Sequence, residues 1–195
     1  MIRLPLIAGF YGVLAAVAGI WSHLGAHPGL LVQGPGTLGP EAAAALGLGG
    51  GLAFVGLSVL LVGRVRWLRR LTVRMGELLG PLDGGTIFLL AGFSALGEEL
   101  FFRGAMQSAW GLLPTALVFG LAHLGPERLF LPWTLVAGVL GLGLGLLTEV
   151  SGNLLGAVLA HFTINYFNLH LIDAWRRRVS AAGPAAGARP GGEAG

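Results

Sequence analysis

The sequence contains no cysteine, no lysine and few charged residues of either sign. Without cysteine, the chain forms neither disulfide bonds nor thiolate metal sites. Charged residues make up only 11% of the 195 residues, whereas 54% are hydrophobic, and the mean hydropathy is +0.78. A soluble domain of this size cannot bury so much apolar surface, because its interior volume is limited. The composition therefore predicts a membrane protein.

The basic side chains are twelve arginines. The absence of lysine, together with abundant alanine, glycine and leucine, is typical of a GC-rich genome, and we expect a bacterial source. The net charge is +3, but the arginines cluster where membrane topology would place them. We therefore expect the partner to be a lipid bilayer and not nucleic acid.

Long apolar runs predict an all-α, polytopic membrane bundle of about six transmembrane helices. The predicted spans are 4–24, 42–63, 85–111, 112–124, 129–147 and 153–175, of which the fourth is the shortest. We take 1–178 as one transmembrane domain and 179–195 as a disordered tail. Ala16–Ala18 resembles a signal-peptidase site, but the apolar run continues to Trp21, so we favour a retained first span.

The segment after the second span predicts an amphipathic helix that lies on an anionic leaflet. Apolar residues alternate there with five arginines at roughly helical spacing: Arg64, Arg66, Arg69, Arg70 and Arg74. The loop after the first span has no arginine. The positive-inside rule therefore predicts a multi-pass protein of the cell (inner) membrane with both termini in the cytoplasm.

Three ionisable residues, Glu98, Glu99 and Arg103, lie within the third predicted span. Each costs about 2.5–3.5 kcal/mol on insertion scales, so such residues are presumed to be functional. Glu99 and Arg103 are i, i+4 neighbours and are expected to pair. Glu98 lies about 100° further around the helix and has no local partner. A carboxylate without a counter-charge is suited to general acid–base catalysis.

Polar residues also lie in later spans. His123 is in the fourth predicted span, and His161 and Asn165 share one face of the sixth. At 1.5 Å per residue, Glu98 and His161 each lie about 20 Å from the cytoplasmic end of their helices. We therefore expect these two residues to meet, with His123 nearer the cytoplasmic side.

In this order and on separate apolar segments, the motifs resemble those of the CPBP family of intramembrane proteases. This is the CAAX-protease and bacteriocin-processing group, also called the ABI family, which is related to the type II CAAX prenyl endopeptidases. The family pattern E-E-x-x-x-R, F-x-x-x-H and H-x-x-x-N reads here as Glu98-Glu99…Arg103, Phe119…His123 and His161…Asn165. The resemblance covers about 85–170.

The resemblance implies an endopeptidase that acts near a substrate's C-terminus or within a membrane segment. It implies that Glu98 polarises the attacking water with help from His123, and that His161 and Asn165 steady the oxyanion. Glu99 and Arg103 would hold the helix and orient the site. The implied substrate is a membrane-anchored protein or peptide, and nothing in the sequence indicates that it is prenylated.

The resemblance leaves the cofactor open, because the family has been described both as metalloproteases and as metal-independent glutamate proteases. Glu98, His123 and His161 could complete a zinc shell. We favour a water molecule activated by Glu98 and His123 without a metal ion.

Three other functions use some of the same residues. A proton-coupled transporter would also place a glutamate and histidines in mid-membrane, but the chain shows no inverted repeat. A haem protein could use His123 and His161 as axial ligands, which leaves Glu98, Glu99 and Asn165 unexplained. A non-catalytic scaffold or immunity protein of the same fold is the third alternative.

The remaining ionisable residues have simpler interpretations. His23 and His27 are an i, i+4 pair at the rim of the first span, where we expect interfacial packing and not a metal site. Glu149, His170 and Asp173 lie near span ends within reach of water, and we expect no special role for them.

Overall fold

The computed structural model describes residues 4–25 and 29–182, and this part of the chain is helical. It contains no β-strand, only an isolated antiparallel bridge between Val32 and Asn153. The helices are α1 (Leu4–Leu24), α2 (Pro40–Val62), α3 (Arg66–Leu79), α4 (Gly84–Glu99), a π-helical segment (Leu100–Met106), α5 (Gln107–Trp110), α6 (Leu112–Ala122), a 3₁₀ turn (Arg128–Phe130), α7 (Leu131–Ser151) and α8 (Leu155–Ala181).

The expected helical membrane bundle is confirmed, with one correction to the number of spans. Within the described residues, five helical stretches are long and apolar enough to cross a bilayer: Leu4–Leu24, Pro40–Val62, Gly84–Trp110, Arg128–Ser151 and Leu155–Ala181. The predicted fourth span is only the 11-residue α6. At 1.5 Å per residue it is about 16 Å long, roughly half the hydrocarbon thickness.

The interhelical contacts define two ends of the bundle. At one end, the Trp67 indole donates to the carbonyl oxygen of Leu129 at 2.9 Å, and Arg74 pairs with Glu127. At the opposite end, the backbone N–H of Gln33 donates to Gly152, which follows α7, and that of Thr37 donates to Val150 in the last turn of α7. The chain therefore returns through α6 and the segment after it to the end that carries α3.

The start of α1 and the end of α8 lie at the same end as α3. Ile7 in α1 packs against the cluster around Leu82, and the backbone N–H of Leu82 donates to Asp173 in α8 at 3.4 Å. The predicted amphipathic helix is present as α3, which buries Leu71, Thr72 and Gly76.

Helix α8 packs against α2, α3, α4 and α7. It crosses α2 closely, because small residues face each other there. A β-carbon on Gly47 would overlap the backbone of Gly156, and one on Gly156 would lie 2.6 Å from the carbonyl oxygen of Ala43. Such stripes of small residues allow backbones to approach in membranes. This crossing fixes the position of the helix that carries His161 and Asn165.

Asp173 has a structural role that we did not expect from the sequence. It is only 2% exposed, and its carboxylate accepts hydrogen bonds from Arg176 at 2.9 Å and from Leu82. Arg177 lies 2.7 Å from its second oxygen. Asp173 therefore ties the end of α8 to the loop before α4. Helix α8 continues to Ala181, and the rest of the predicted tail lies outside the described residues.

Candidate active site

The helix that carries Glu98 and Glu99 has a defined start and an irregular end. Asp83 caps α4 by accepting a hydrogen bond from the backbone N–H of Thr86 at 2.9 Å. Its bonds with Thr86 hold the pKa of the Asp83 carboxyl below its usual value. After Glu99 the chain continues as the π-helical segment. Such turns are rare and are frequently found at functional sites, and the sequence did not indicate this one.

The expected pair of Glu99 and Arg103 is present, and both side chains are fully buried. Arg103 donates from Nη1 to Glu99 Oε1 at 3.0 Å and from Nη2 to the carbonyl oxygen of Gly141 at 3.1 Å. Its guanidinium carbon lies 4.2 Å from the centre of the Phe119 ring. Arg103 therefore joins the π-helical segment to α6 and α7.

Gln107 repeats this arrangement one turn later, and sequence reasoning missed it. Its amide donates to the carbonyl oxygen of Gly145 at 3.0 Å and to Glu149 at 3.2 Å. A β-carbon on Gly145 would lie 2.6 Å from the Gln107 amide oxygen, so glycine is needed for this close approach. The i, i+4 spacing of Arg103 and Gln107, matched by Gly141 and Gly145 on α7, was the available signal.

His161 meets both glutamates. Its Nδ1 lies 2.7 Å from Glu99 Oε1, and its Nε2 lies 4.0 Å from Glu98 Oε2. The match in depth expected for Glu98 and His161 is therefore found. Because a carboxylate only accepts hydrogen bonds, Nδ1 carries the proton, and in the neutral ring Nε2 has a free lone pair.

His123 approaches Glu98 from the other side. It follows the last residue of α6, and its Nδ1 donates to the carbonyl oxygen of Phe119 at 2.7 Å. Its Nε2, which is then an acceptor in the neutral ring, lies 3.8 Å from Glu98 Oε2. Three acceptor atoms thus converge: Glu98 Oε2, His123 Nε2 and His161 Nε2.

Glu98 has no partner within its own helix, as expected, but it has a hydrogen-bond partner on a distant helix. The hydroxyl of Tyr11 in α1 donates to Glu98 Oε1 at 3.1 Å. Glu98 Oε2 is buried and has no hydrogen-bond partner among the described residues. The two oxygens of this carboxylate therefore have different surroundings. Nothing in the local sequence around Tyr11 indicated this contact.

Asn165 is held by a second residue that sequence reasoning missed. Its amide nitrogen donates to the Ser94 hydroxyl at 2.9 Å, and that hydroxyl donates to the carbonyl oxygen of Ala91 at 3.3 Å. Ser94 precedes Glu98 by four residues and shares its helix face. That spacing was the signal which could have found it.

A cavity of about 520 Å³ extends from these residues towards the end of the bundle that carries α3. Its wall is mostly apolar, with contributions from α1, α2, α3, α4, α7 and α8, and Glu98, His123, Asn165, Tyr11 and Ser94 line it. Glu99, Arg103 and His161 do not. The six residues singled out from the sequence therefore divide into three that face the cavity and three that lie behind them.

The donor types in this cluster suit zinc, which binds imidazole and carboxylate groups. Tetrahedral ligands at about 2.0 Å from zinc lie about 3.3 Å apart, whereas the two histidine nitrogens lie 3.8 and 4.0 Å from Glu98 Oε2. Among the described residues, no three His, Asp or Glu side chains are already arranged as a metal-binding group. Zinc binding would therefore require the cluster to contract.

The minor candidates lie apart from this cluster. His27 is outside the described residues, so its pairing with His23 is not described. Glu149 is exposed at the opposite end of the bundle, where it accepts the bond from Gln107. His170 packs edge-on against Tyr166, with ring centroids 4.8 Å apart.

Comparison with known proteins identifies the region that holds the cluster. Residues 82–167, just under half of the chain, match the family model described as "Type II CAAX prenyl endopeptidase Rce1-like". The resemblance drawn from the three motifs is confirmed. The match covers Glu98, Glu99, Arg103, His123, His161 and Asn165, and it excludes α1, α2 and α3.

One relative is a Bacillus subtilis (strain 168) protein described as "Uncharacterized protein YpbD". It is 36% identical over 79 residues, which are 40% of this chain and 41% of the relative. The match thus spans about two-fifths of the relative's length. No solved structure gives a significant match to the chain. The chain is therefore a multi-pass helical membrane protein with a segment similar to the type II CAAX prenyl endopeptidases.

Proposed function

We propose that the chain is an intramembrane endopeptidase of the CAAX-protease (CPBP) type, which hydrolyses a peptide bond in a membrane-anchored protein or peptide. One observation carries this proposal. Glu98 Oε2 and the Nε2 atoms of His123 and His161 converge within about 4 Å at the wall of an apolar cavity. Ionisable groups inside a membrane-spanning bundle cost free energy, so such a cluster is presumed to be functional.

The first step is the activation of water. The separations of 3.8 and 4.0 Å are too long for direct hydrogen bonds, but they suit a bridging water molecule. Such a water donates one hydrogen to Glu98 Oε2 and the other to His123 Nε2. Glu98 takes a proton as the water oxygen attacks the carbonyl carbon of the substrate, so the carbonyl oxygen becomes an oxyanion.

The second step is the stabilisation and collapse of the tetrahedral intermediate. The Asn165 amide faces the cavity and is oriented by Ser94, so we assign it as a donor to the oxyanion. Glu98 then returns its proton to the leaving amine as the carbon–nitrogen bond breaks. The products are a new carboxylic acid, which then gives its proton to solvent, and a new amine, and Glu98 is again ionised.

His161 is predicted to be catalytic through the family resemblance, and its position favours an indirect role. It lies behind the cavity wall, with Nδ1 held by Glu99 and Nε2 directed towards Glu98 Oε2. Glu99 in turn is held by Arg103. We assign this buried chain of contacts to fixing the His161 ring beside the water site, because the Nε2 lone pair cannot itself bind the Glu98 carboxylate.

Zinc, if bound, would be held by Glu98, His123 and His161 and would polarise water or the substrate carbonyl. The proposed steps need no group beyond the residues of this chain, water and the substrate.

The apolar cavity wall suits a substrate segment that comes from the bilayer. We place the α3 end of the bundle in the cytoplasm because its arginines face outward there.

The test is proteolysis by purified protein in lipid vesicles, with a panel of membrane-anchored peptides and mass-spectrometric identification of the products. We expect at least one peptide to be cleaved by the wild type and by Glu41→Gln, which makes the same change in an exposed residue of α2. Glu98→Gln should cleave none detectably. Each arm is run with and without chelator. Equal products from Glu98→Gln would refute the proposal.

A further inference from the structure

Tyr11 lies outside the segment that matches the endopeptidase family, yet it contacts the residue assigned as the base. Its hydroxyl donates to Glu98 Oε1 at 3.1 Å, and both side chains line the cavity. The family match begins at residue 82. Helix α1 is therefore part of the cavity wall and not only a membrane anchor.

Close packing fixes the Tyr11 ring beside Glu98. Helix α1 packs along α4 and the π-helical segment. A β-carbon on Gly97 would lie only 3.0 Å from Tyr11 Cβ and Cδ1, so the glycine before Glu98 makes room for this tyrosine. Phe10, the neighbour of Tyr11, is 62% exposed on the outer surface of α1. The helix thus turns one aromatic residue outward and the hydroxyl-bearing one inward.

We propose that Tyr11 is a positioning residue that holds Glu98 in its reactive orientation. The terminal torsion of a glutamate is broad, so a carboxylate held at only one point can rotate. Tyr11 holds Oε1 on the α1 side, which directs Oε2 towards His123 and His161. This inference rests on the proposed function, because it assigns to Tyr11 a role that acts through the base.

Tyr11→Phe removes the hydroxyl and keeps the ring that packs against Gly97. We expect kcat to fall about ten- to hundredfold, as for the loss of a hydrogen bond to a charged group. KM should remain that of the wild type. Tyr166→Phe is the matched control, because the chain has only two tyrosines and Tyr166 is not in the cavity wall.

A double-mutant cycle separates positioning from a general packing role. Glu98→Asp shortens the side chain, withdraws the carboxylate from Tyr11 and retains a base. In that background, Tyr11→Phe should lower kcat by less than about threefold, because the effects of coupled residues are not additive. If Tyr11→Phe lowers kcat by the same factor in the wild-type and Glu98→Asp backgrounds, Tyr11 does not act through Glu98 and the inference is wrong.

A spectroscopic arm does not depend on activity. Tyr166→Phe leaves Tyr11 as the one tyrosine in the chain, so isotope-edited infrared bands of ring-labelled tyrosine report on its hydroxyl alone. Introducing Glu98→Gln into that background should shift the tyrosine C–O band, whereas Glu41→Gln should leave it unchanged. An identical band in all three proteins would overturn the inference even if no substrate were cleaved.

Failure of this inference differs from failure of the proposed function. If Glu98→Gln is inactive while Tyr11→Phe matches the wild type in kcat, the protease proposal stands and the role of Tyr11 is refuted. If Glu98→Gln retains wild-type proteolysis, the protease mechanism fails, and with it the role assigned to Tyr11.

Discussion

At the scale of single residues, Glu98 and Glu99 are adjacent in sequence but have different partners. Glu99 is fully buried between Arg103 and His161. Glu98 faces the cavity with one oxygen held by Tyr11. Consecutive residues of a helix point about 100° apart, so one glutamate can serve the helix interface and the other the cavity.

Glu99 is not assigned a step in the chemistry, and we expect Glu99→Gln to lower the stability of the fold. It leaves Arg103 without its counter-charge in the bundle interior, which costs about 3–5 kcal/mol when a buried pair is broken. We expect a lower melting temperature and poor accumulation in the membrane. The double change Glu99→Gln with Arg103→Met should recover part of the stability, because no unpaired charge remains. A single variant that melts like the wild type would contradict this assignment.

The metal content of active protein is the second test at this scale. If Glu98 and His123 activate water without a metal ion, elemental analysis of active protein should find well under one zinc per chain. Proteolysis should then persist in chelator. Stoichiometric zinc that is lost together with activity, and restored with it on zinc addition, would overturn that preference and assign Glu98, His123 and His161 as ligands.

At the scale of elements, the close crossing of α2 and α8 controls the position of His161 and Asn165. Gly47→Ala would push its new methyl group into the backbone of α8 at Gly156, which cannot yield as a side chain does. We expect a loss of about 1–3 kcal/mol, typical of overpacking, together with reduced proteolysis. Gly49→Ala is the matched control on the same helix, because a β-carbon there has no neighbour within 4 Å. Equal melting temperatures for both variants would contradict this packing.

Much of the element order could be predicted from the sequence, because the spans are separated by glycine, proline and arginine. The Glu99–Arg103 pair and the depth match of Glu98 with His161 could also be predicted, since both follow from helical geometry. The length of α6 could not. Its apolar run extends to Leu124, but the helix ends at Ala122 and a short apolar helix has no pattern that sets its depth.

The contacts that complete the site were beyond sequence reasoning for a physical reason. Tyr11 reaches Glu98 across 87 residues of chain and Asn165 reaches Ser94 across 71. Such contacts depend on which faces of two helices meet, and a uniformly apolar helix gives no amphipathic pattern from which to read its orientation. The π-helical segment likewise has no local signature in Leu100–Met106.

At the scale of the whole molecule, the outer surface and the ends of the bundle agree with a membrane-spanning protein. Large apolar residues on α1, α2 and α7 are exposed, among them Leu6, Val13, Leu52, Leu135 and Val139. This apolar outer surface suits contact with lipid chains and not with water. The basic helix α3 and the start of α1 lie at one end, and residues 29–39, which precede α2, lie at the other.

The orientation can be tested directly, because the chain has no cysteine of its own. A cysteine at Leu31, which is 63% exposed, should react with an impermeant maleimide in intact cells. A cysteine at the exposed Ser180 should react only after permeabilisation, since the positive-inside rule places that end in the cytoplasm. The reverse labelling pattern would invert the proposed topology. Equal labelling of both sites in intact cells would contradict the orientation altogether.

The measurement that tests the central claim most directly is the single-turnover cleavage rate of one membrane-anchored peptide by Glu98→Gln. The change preserves the shape of the side chain and removes the base. We expect the variant to melt like the wild type and to cleave about 10²–10⁴-fold more slowly, as for the loss of a general base. A variant that folds normally and cleaves at the wild-type rate would contradict the assignment of Glu98 and the protease mechanism built on it.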